Sequence, residues 1–175
     1  AARPRANDPE YVSGSPIVST HALSFPFSRI VRNRGGRWAL VPWIVFAIIL
    51  AAVSRGRADG ASHVLLGSFT TFVIPFLSFS VATVVIGKGT LLEALSPLTT
   101  LGASRERAGL TMALGVVLAS MVASGGLGAL VVAIAHGSSD PPLARDLLTT
   151  IWVAALAGAA YGAYFSAAST LFGRF

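Results

Sequence analysis

The side chains that most often carry out chemistry are few in this sequence, and they stand apart from one another. Cysteine is absent, which excludes disulfides and cysteine-ligated metal centres. The three histidines are His21, His63 and His136. His63 and His136 can share a metal ion only as two ligands, fewer than a protein site usually supplies. We interpret them as polar caps and predict no metal site.

The motifs of common enzymes are missing as well. The sequence has no GxxxxGK[ST] loop that would cradle nucleotide phosphates, and no serine stands in a G-x-S-x-G setting. We therefore predict that this chain is not an enzyme. It is expected to have no catalytic residues, to bind no cofactor and not to hydrolyse ATP itself.

The composition is that of a membrane protein. Hydrophobic residues make up 54% of the 175 residues, charged residues only 11%, and the mean hydropathy is +0.72. Soluble domains carry roughly a quarter charged residues, because their surface faces water. The net charge of +6 can indicate nucleic-acid binding, but the basic residues lie between apolar blocks, where they match lipid headgroups. We expect membrane lipids as partners and no nucleic acid.

Four apolar blocks predict an all-α, polytopic membrane protein with four transmembrane helices. The blocks comprise residues 38–53, 63–86, 108–135 and 147–172. The first is shorter than the ~20 residues that cross the hydrocarbon core, but Trp38 and the flanking Arg37 and Arg55 can extend it at the interfaces. Pro75 should kink the second helix. No block has a central charge, which argues against ion pumps and proton-coupled carriers, and none has the continuous polar face of a pore.

The chain before the first block divides into two parts. Residues 1–24 are polar and proline-rich, which predicts a flexible tail, and residues 25–175 form the transmembrane domain. Residues 25–37 mix phenylalanines with arginines. They form either an interfacial amphipathic helix or a basic flank without helical order. Gly35 and Gly36 would limit such a helix to a few turns.

Small residues repeat along the faces of two predicted helices. In the fourth block the stripe contains a GxxxG pair and consists of Ala154, Gly158, Gly162 and Ser166. Such a stripe lets another backbone approach closely, so we expect this helix in the packing core and not on a lipid-facing surface. In the second block, Ser68, Thr71 and Ser78 share one helical face, which is either a packing surface or part of a transport pathway.

The distribution of basic residues predicts the orientation. Ten of the 13 lysine and arginine residues fall on the side that holds both termini and the loop 87–107. The side richer in basic residues is normally cytoplasmic. We therefore predict a multi-pass protein of the bacterial inner membrane with both termini in the cytoplasm.

The loop 87–107 carries an ordered set of residues, namely Gly89, Thr90, Leu91, Glu93, Leu95, Pro97, Ser104 and Arg105. The order resembles the type II ABC exporter permeases, in which a segment of the form G-T-L-E-x-L-L-x-x-P-x-S-R joins the second and third spans. Residues 25–37 look like the elbow helix of that family, and residues 161–174 are similar to its fourth span, which often closes with L-x-S-x-L-F-R. Members commonly have six spans, and acidic residues usually stand where this sequence has Gly87 and Lys88.

The resemblance implies a permease subunit of an ATP-driven exporter, paired with a second permease unit and a separate ATP-binding subunit. The uncharged spans would suit a lipid-like or amphipathic cargo. Two sets of residues would press on the ATPase: a coupling loop with Thr90, Glu93, Pro97, Ser104 and Arg105, and an elbow with Arg29, Arg32, Arg34 and Arg37. The alternative is a non-catalytic accessory subunit of a larger membrane complex, which docks on other spans through its glycine and alanine stripes.

Overall fold

The computed structural model describes residues 20–55, 65–87, 91–96, 99, 104–137 and 142–171. Its main elements are α1 (Thr20–Arg32), α2 (Arg34–Ser54), a π-helical segment (Leu65–Val73) that continues into α3 (Ile74–Ile86), the short α4 (Leu91–Ala94), α5 (Arg105–Ala135) and α6 (Leu143–Leu171). The described ranges contain helices and no strand, so the predicted all-α class is confirmed.

In the part of the chain that the structure describes, three helices are long and apolar enough to cross a membrane, at Gly67–Ile86, Arg105–Ala135 and Leu143–Thr170. The first predicted span corresponds to a shorter apolar helix, Trp38–Ser54. The structure therefore supports a membrane protein built from helices, and the number of four spans stays a prediction. Helix α5 begins at Arg105, three residues before the start of the third predicted span at Ala108. The Ser104 hydroxyl caps the helix there by accepting a hydrogen bond from the backbone N–H of Arg107.

Pro75 lies where the winding of the second long helix changes. The chain is π-helical as far as Val73 and α-helical from Ile74, with Pro75 in the first turn of α3. Proline has no N–H to donate, and its ring collides with the carbonyl one turn earlier in a regular α-helix. The wider π-helical turns upstream accommodate the proline within a continuous helix.

The start of the chain departs from two predicted boundaries. Helix α1 begins at Thr20, inside the segment 1–24 that was predicted to be flexible. The break between α1 and α2 falls at Asn33, and Gly35 and Gly36 lie inside α2. Glycine lowers helix stability by only about 1 kcal/mol relative to alanine, which the packing of the apolar part of α2 on the bundle can offset. For residues 25–37 the sequence allowed an amphipathic helix or a basic flank without helical order, and the structure shows helix on both sides of Asn33.

Helix α2 packs on α3 through Trp43. Its indole Nε1 donates a hydrogen bond to the Ser80 hydroxyl at 3.1 Å, and its ring stacks on Phe76 with centroids 4.7 Å apart. Further along, Ala47 and Ala51 are buried in a cluster with residues of the π-helical segment, α5 and α6. Helix α2 is therefore part of the bundle over most of its length.

The bundle hides small and polar residues and exposes large apolar ones. Ser78, Ser120 and Ser124 are fully buried, whereas Leu110 and Val122 are two-thirds exposed. A water-soluble fold would show the reverse, because exposed apolar surface of this extent is unfavourable in water. The outward faces of these helices match a hydrocarbon solvent.

Helices α5 and α6 meet along a seam of small residues. A Cβ at Gly158 would stand 2.5 Å from the Ser124 hydroxyl oxygen and 2.6 Å from the Ser120 carbonyl oxygen, and one at Gly162 would stand 3.2 Å from the Cα of Val117. Ala154 and Ser166 are buried at the two ends of the same stripe. The four small residues singled out in α6 thus lie on its buried face.

Helix α6 lies in the packing core of the described chain along one face only, whereas the sequence predicted it in the core as a whole. Only 28% of its apolar span is buried, and Trp152, Leu156 and Tyr164 are more than half exposed. The stripe packs α6 against the bundle on one side, and no other described helix covers its opposite side. One face of α6 is core, and the remainder faces outward.

Gly158→Leu is expected to destabilise the bundle by roughly 1–3 kcal/mol, because the side chain has to displace the backbone of α5. Thermal unfolding in detergent, followed by the loss of monodisperse protein, measures the effect. Gly126→Leu is the matched control, since Gly126 is exposed on α5 and has nothing within 4 Å of its Cβ position. Equal melting temperatures for the two variants would contradict the close packing of α5 and α6 at Gly158.

Candidate functional site

Several of the residues that the sequence pointed to lie at one end of the bundle. Helix α1, the C-terminal end of α3, the short α4 and the N-terminal end of α5 converge there. Buried apolar residues from α3, α4 and α5 form one cluster below them, which includes Val85, Leu95 and Met112. This end therefore has its own core, and the segments on it are held by packing.

Arg29 binds the end of α3. Its guanidinium donates hydrogen bonds to the carbonyl oxygens of Val85 at 2.7 Å and Ile86 at 3.4 Å. The last carbonyls of a helix have no partner within the helix and carry its negative end, so a cation there is favourable. Gly87 then ends α3 with a φ of 88°, a conformation that side chains other than glycine rarely adopt.

Pro26 fixes the other side of α1. The Pro26 ring is fully buried and lies directly over Gly115 of α5, where a Cβ on the glycine would collide with it. Sequence reasoning missed this contact, and no signal in the sequence was available to find it. A proline in a helical segment normally indicates a break, and one glycine in an apolar block has many other uses.

The short helix α4 sits on the bundle with its charged residue outward. Ala94 and Leu95 are buried against α5, where Leu95 Cδ1 lies 3.8 Å from the Cβ position of Gly109. Glu93 and Ser96 are exposed. This described part of the loop is therefore docked through Ala94 and Leu95, and Glu93 lies at its surface.

The structure brings together part of the predicted coupling and elbow sets. Ser104 and Arg105 are exposed at the start of α5, and Ser104 acts as its N-cap. Arg29 is partly buried on α3, whereas Arg32 is exposed. Thr90 and Pro97 lie outside the described residues, as do the side chains of Arg34 and Arg37.

The three pathway candidates do not line one surface. Ser78 is fully buried, Ser68 is half-buried and Thr71 is exposed. The prediction assumed a regular α-helix, but Ser68 and Thr71 lie in the π-helical segment, whose wider turns rotate them away from Ser78. The hydroxyls of Ser78, Ser120 and Ser124 are buried without a hydrogen-bond partner in the described part of the chain.

No cluster of metal-ligating side chains is found within the described residues. They contain no group of three or more histidine, aspartate or glutamate side chains close enough to hold a metal ion. His136 caps the end of α5, with its backbone N–H donating to Val132. His63 and the side chain of His21 fall outside the described part.

Comparisons with models of protein families, with curated proteins and with solved structures found no match to this chain.

Arg29→Gln is expected to loosen α1 by about 1–2 kcal/mol, because two backbone carbonyls at the end of α3 lose a charged donor. Hydrogen exchange in detergent should be faster for the amides of α1 and unchanged in the middle of α5. Arg32→Gln provides the control, since Arg32 is exposed on the same helix. Identical exchange in the two variants would show that Arg29 does not hold α1.

Proposed function

We propose that this chain is the membrane-embedded permease subunit of an ATP-driven exporter, which moves a lipid-like or amphipathic cargo while a separate subunit hydrolyses ATP. The observation that carries the proposal is the attachment of α1 to two long helices at once. Arg29 ties α1 to α3 through hydrogen bonds, and Pro26 ties it to α5 through packing. A displacement of α1 would therefore be passed directly to both helices.

The docked loop supports the same proposal. Leu95 is buried on α5, so the loop follows the movements of that helix, while Glu93 is exposed and accessible to another protein. Packed elements of this kind move as rigid bodies because close-packed interiors do not deform continuously. An ATPase that pushed on α1 and on the loop would shift α3 and α5 together.

The chemistry of the spans supports a cargo without strong charge. No predicted span has a central acidic or basic residue, so an ion would find no charged partner in the membrane. The long helices expose leucine and valine side chains along most of their outer faces. A cargo with its own hydrocarbon chains would meet a compatible surface.

The proposal includes four spans, with both termini in the cytoplasm of a bacterium. The apolar part of α2, Trp38–Ser54, has a length of about 25 Å, somewhat less than the ~30 Å hydrocarbon core, and the full helix of 21 residues extends it at the end that carries Arg34 and Arg37. Its outward face is apolar at Val41, Val45, Ile49 and Val53. Trp38 is 73% exposed near one end, where indole rings prefer the membrane interface.

A second candidate function is that of a non-catalytic accessory subunit in a larger membrane complex. It is favoured by the outward face of α6, where Trp152, Val153 and Leu156 are exposed side by side. Large aromatic and aliphatic residues on one helix face suit contact with another transmembrane subunit. The two functions differ in whether an ATPase is bound.

The absence of native cysteine allows a direct test of the topology. Arg32→Cys and Arg55→Cys stand on either side of α2, and both positions are exposed. In intact cells an impermeant maleimide should label Arg55→Cys and should reach Arg32→Cys only after the membrane is opened. Equal labelling of both positions in intact cells would mean that α2 does not cross.

Purification of the tagged chain from its native membranes should bring down an ATPase that carries a phosphate loop. Glu93→Lys is then expected to lower the ATPase stimulation by roughly tenfold, because reversing the charge at a contact surface disfavours the partner. Membrane insertion should be unchanged.

Asp146→Lys serves as the charge-reversal control for that experiment, because Asp146 lies in the first turn of α6 at the opposite end of the bundle. If the Glu93→Lys and Asp146→Lys chains stimulated the ATPase equally, the loop would be ruled out as the coupling element. Co-purification with membrane proteins that lack a phosphate loop would instead favour the accessory function.

A further inference from the structure

A groove of about 460 Å³ runs between the first half of α5 and the last part of α6. It begins at Glu106 and ends at Val117 on α5, and on α6 it lies along Ala163, Ala167 and Thr170. Gly162 closes it, because a Cβ there would stand 3.2 Å from the Cα of Val117. The groove is thus an opening of the same seam that is tightly packed further along.

The groove is apolar inside and charged at one end. Its two hydroxyls are already used within α6, since Ser166 donates to the carbonyl of Gly162 at 2.8 Å and Thr170 to that of Ala167 at 2.6 Å. Of the described residues that line the groove, Glu106 alone carries a charge. A ligand would therefore need a hydrocarbon body and a cationic group at one end.

The length of the groove matches one leaflet of a bilayer. From Glu106 to Val117 the α-helix rises by about 16 Å, and half of the ~30 Å hydrocarbon core is about 15 Å. Glu106 lies in the first turn of α5, at the level where Arg105 and Arg107 are exposed. A lipid with its headgroup at Glu106 would place one acyl chain along the groove.

We propose that the groove between α5 and α6 binds a phospholipid with a primary ammonium headgroup. One acyl chain lies between the helices, the ammonium group donates to the Glu106 carboxylate, and the phosphate meets Arg105 and Arg107 near the N-terminal end of α5. An anionic headgroup without an ammonium group would also bind Arg105 and Arg107, but it would provide no cation for Glu106. This inference depends on a membrane location and not on ATP-driven transport.

The test uses the purified chain in phosphatidylcholine vesicles with a trace of photoreactive phospholipid that carries a diazirine in one acyl chain. After illumination, mass spectrometry maps the labelled peptides. The ethanolamine probe is expected to label residues 109–117 and 163–170 more strongly than the glycerol probe does. Glu106→Gln should remove this preference, with a loss of roughly threefold to tenfold for the ethanolamine probe.

A second variant separates the groove from the headgroup. Ala163→Leu fills the groove and should lower labelling by both probes, whereas Ala160→Leu, an exposed change on α6 outside the groove, should leave it unchanged. Equal labelling by the two probes in the wild-type chain, or labelling that Ala163→Leu does not reduce, would overturn the proposal. Crosslinked dimers through these peptides would also overturn it, because they would place a second copy in the groove.

Discussion

The close approach of α5 and α6 is the contact on which the rest of the structure depends. In a membrane, lipid chains are as apolar as leucine side chains, so burying leucine between helices offers little advantage. Glycine, alanine and serine instead let two backbones come close enough for many van der Waals contacts. Gly158 against Ser120 and Ser124 is the tightest part of this contact. Where the seam widens beyond Val117, the groove begins.

The end of the bundle where α1, α3, α4 and α5 meet is held by a different kind of interaction. Helix ends leave backbone carbonyls without partners, and Arg29 satisfies those of α3 from a neighbouring helix. Pro26 and Leu95 add packing on α5 from two separate segments. In the proposed function, the same contacts would make α1 and α4 move with the long helices.

The proposed lipid site and the proposed transport function both involve the N-terminal half of α5. The groove lies between α5 and α6, and Leu95, which follows α4, lies 3.8 Å from the Cβ position of Gly109, one of the residues that line the groove. A lipid in the groove would lie beside the seam at the point where its packing ends.

Hydrophobicity and the spacing of small residues were enough to predict from sequence the helical class, the approximate helix bounds and the packing stripe of α6. These depend on local composition and on a period of 3.6 residues, which a single chain displays directly. The contacts of Pro26 with Gly115 and of Arg29 with Val85 depend on how distant segments meet, and no local pattern encodes them. Likewise, Ser68 and Thr71 parted from Ser78 because the turns before Pro75 are π-helical, and α6 is exposed on one side because no described helix covers it. Such features are decided only when the helices pack together.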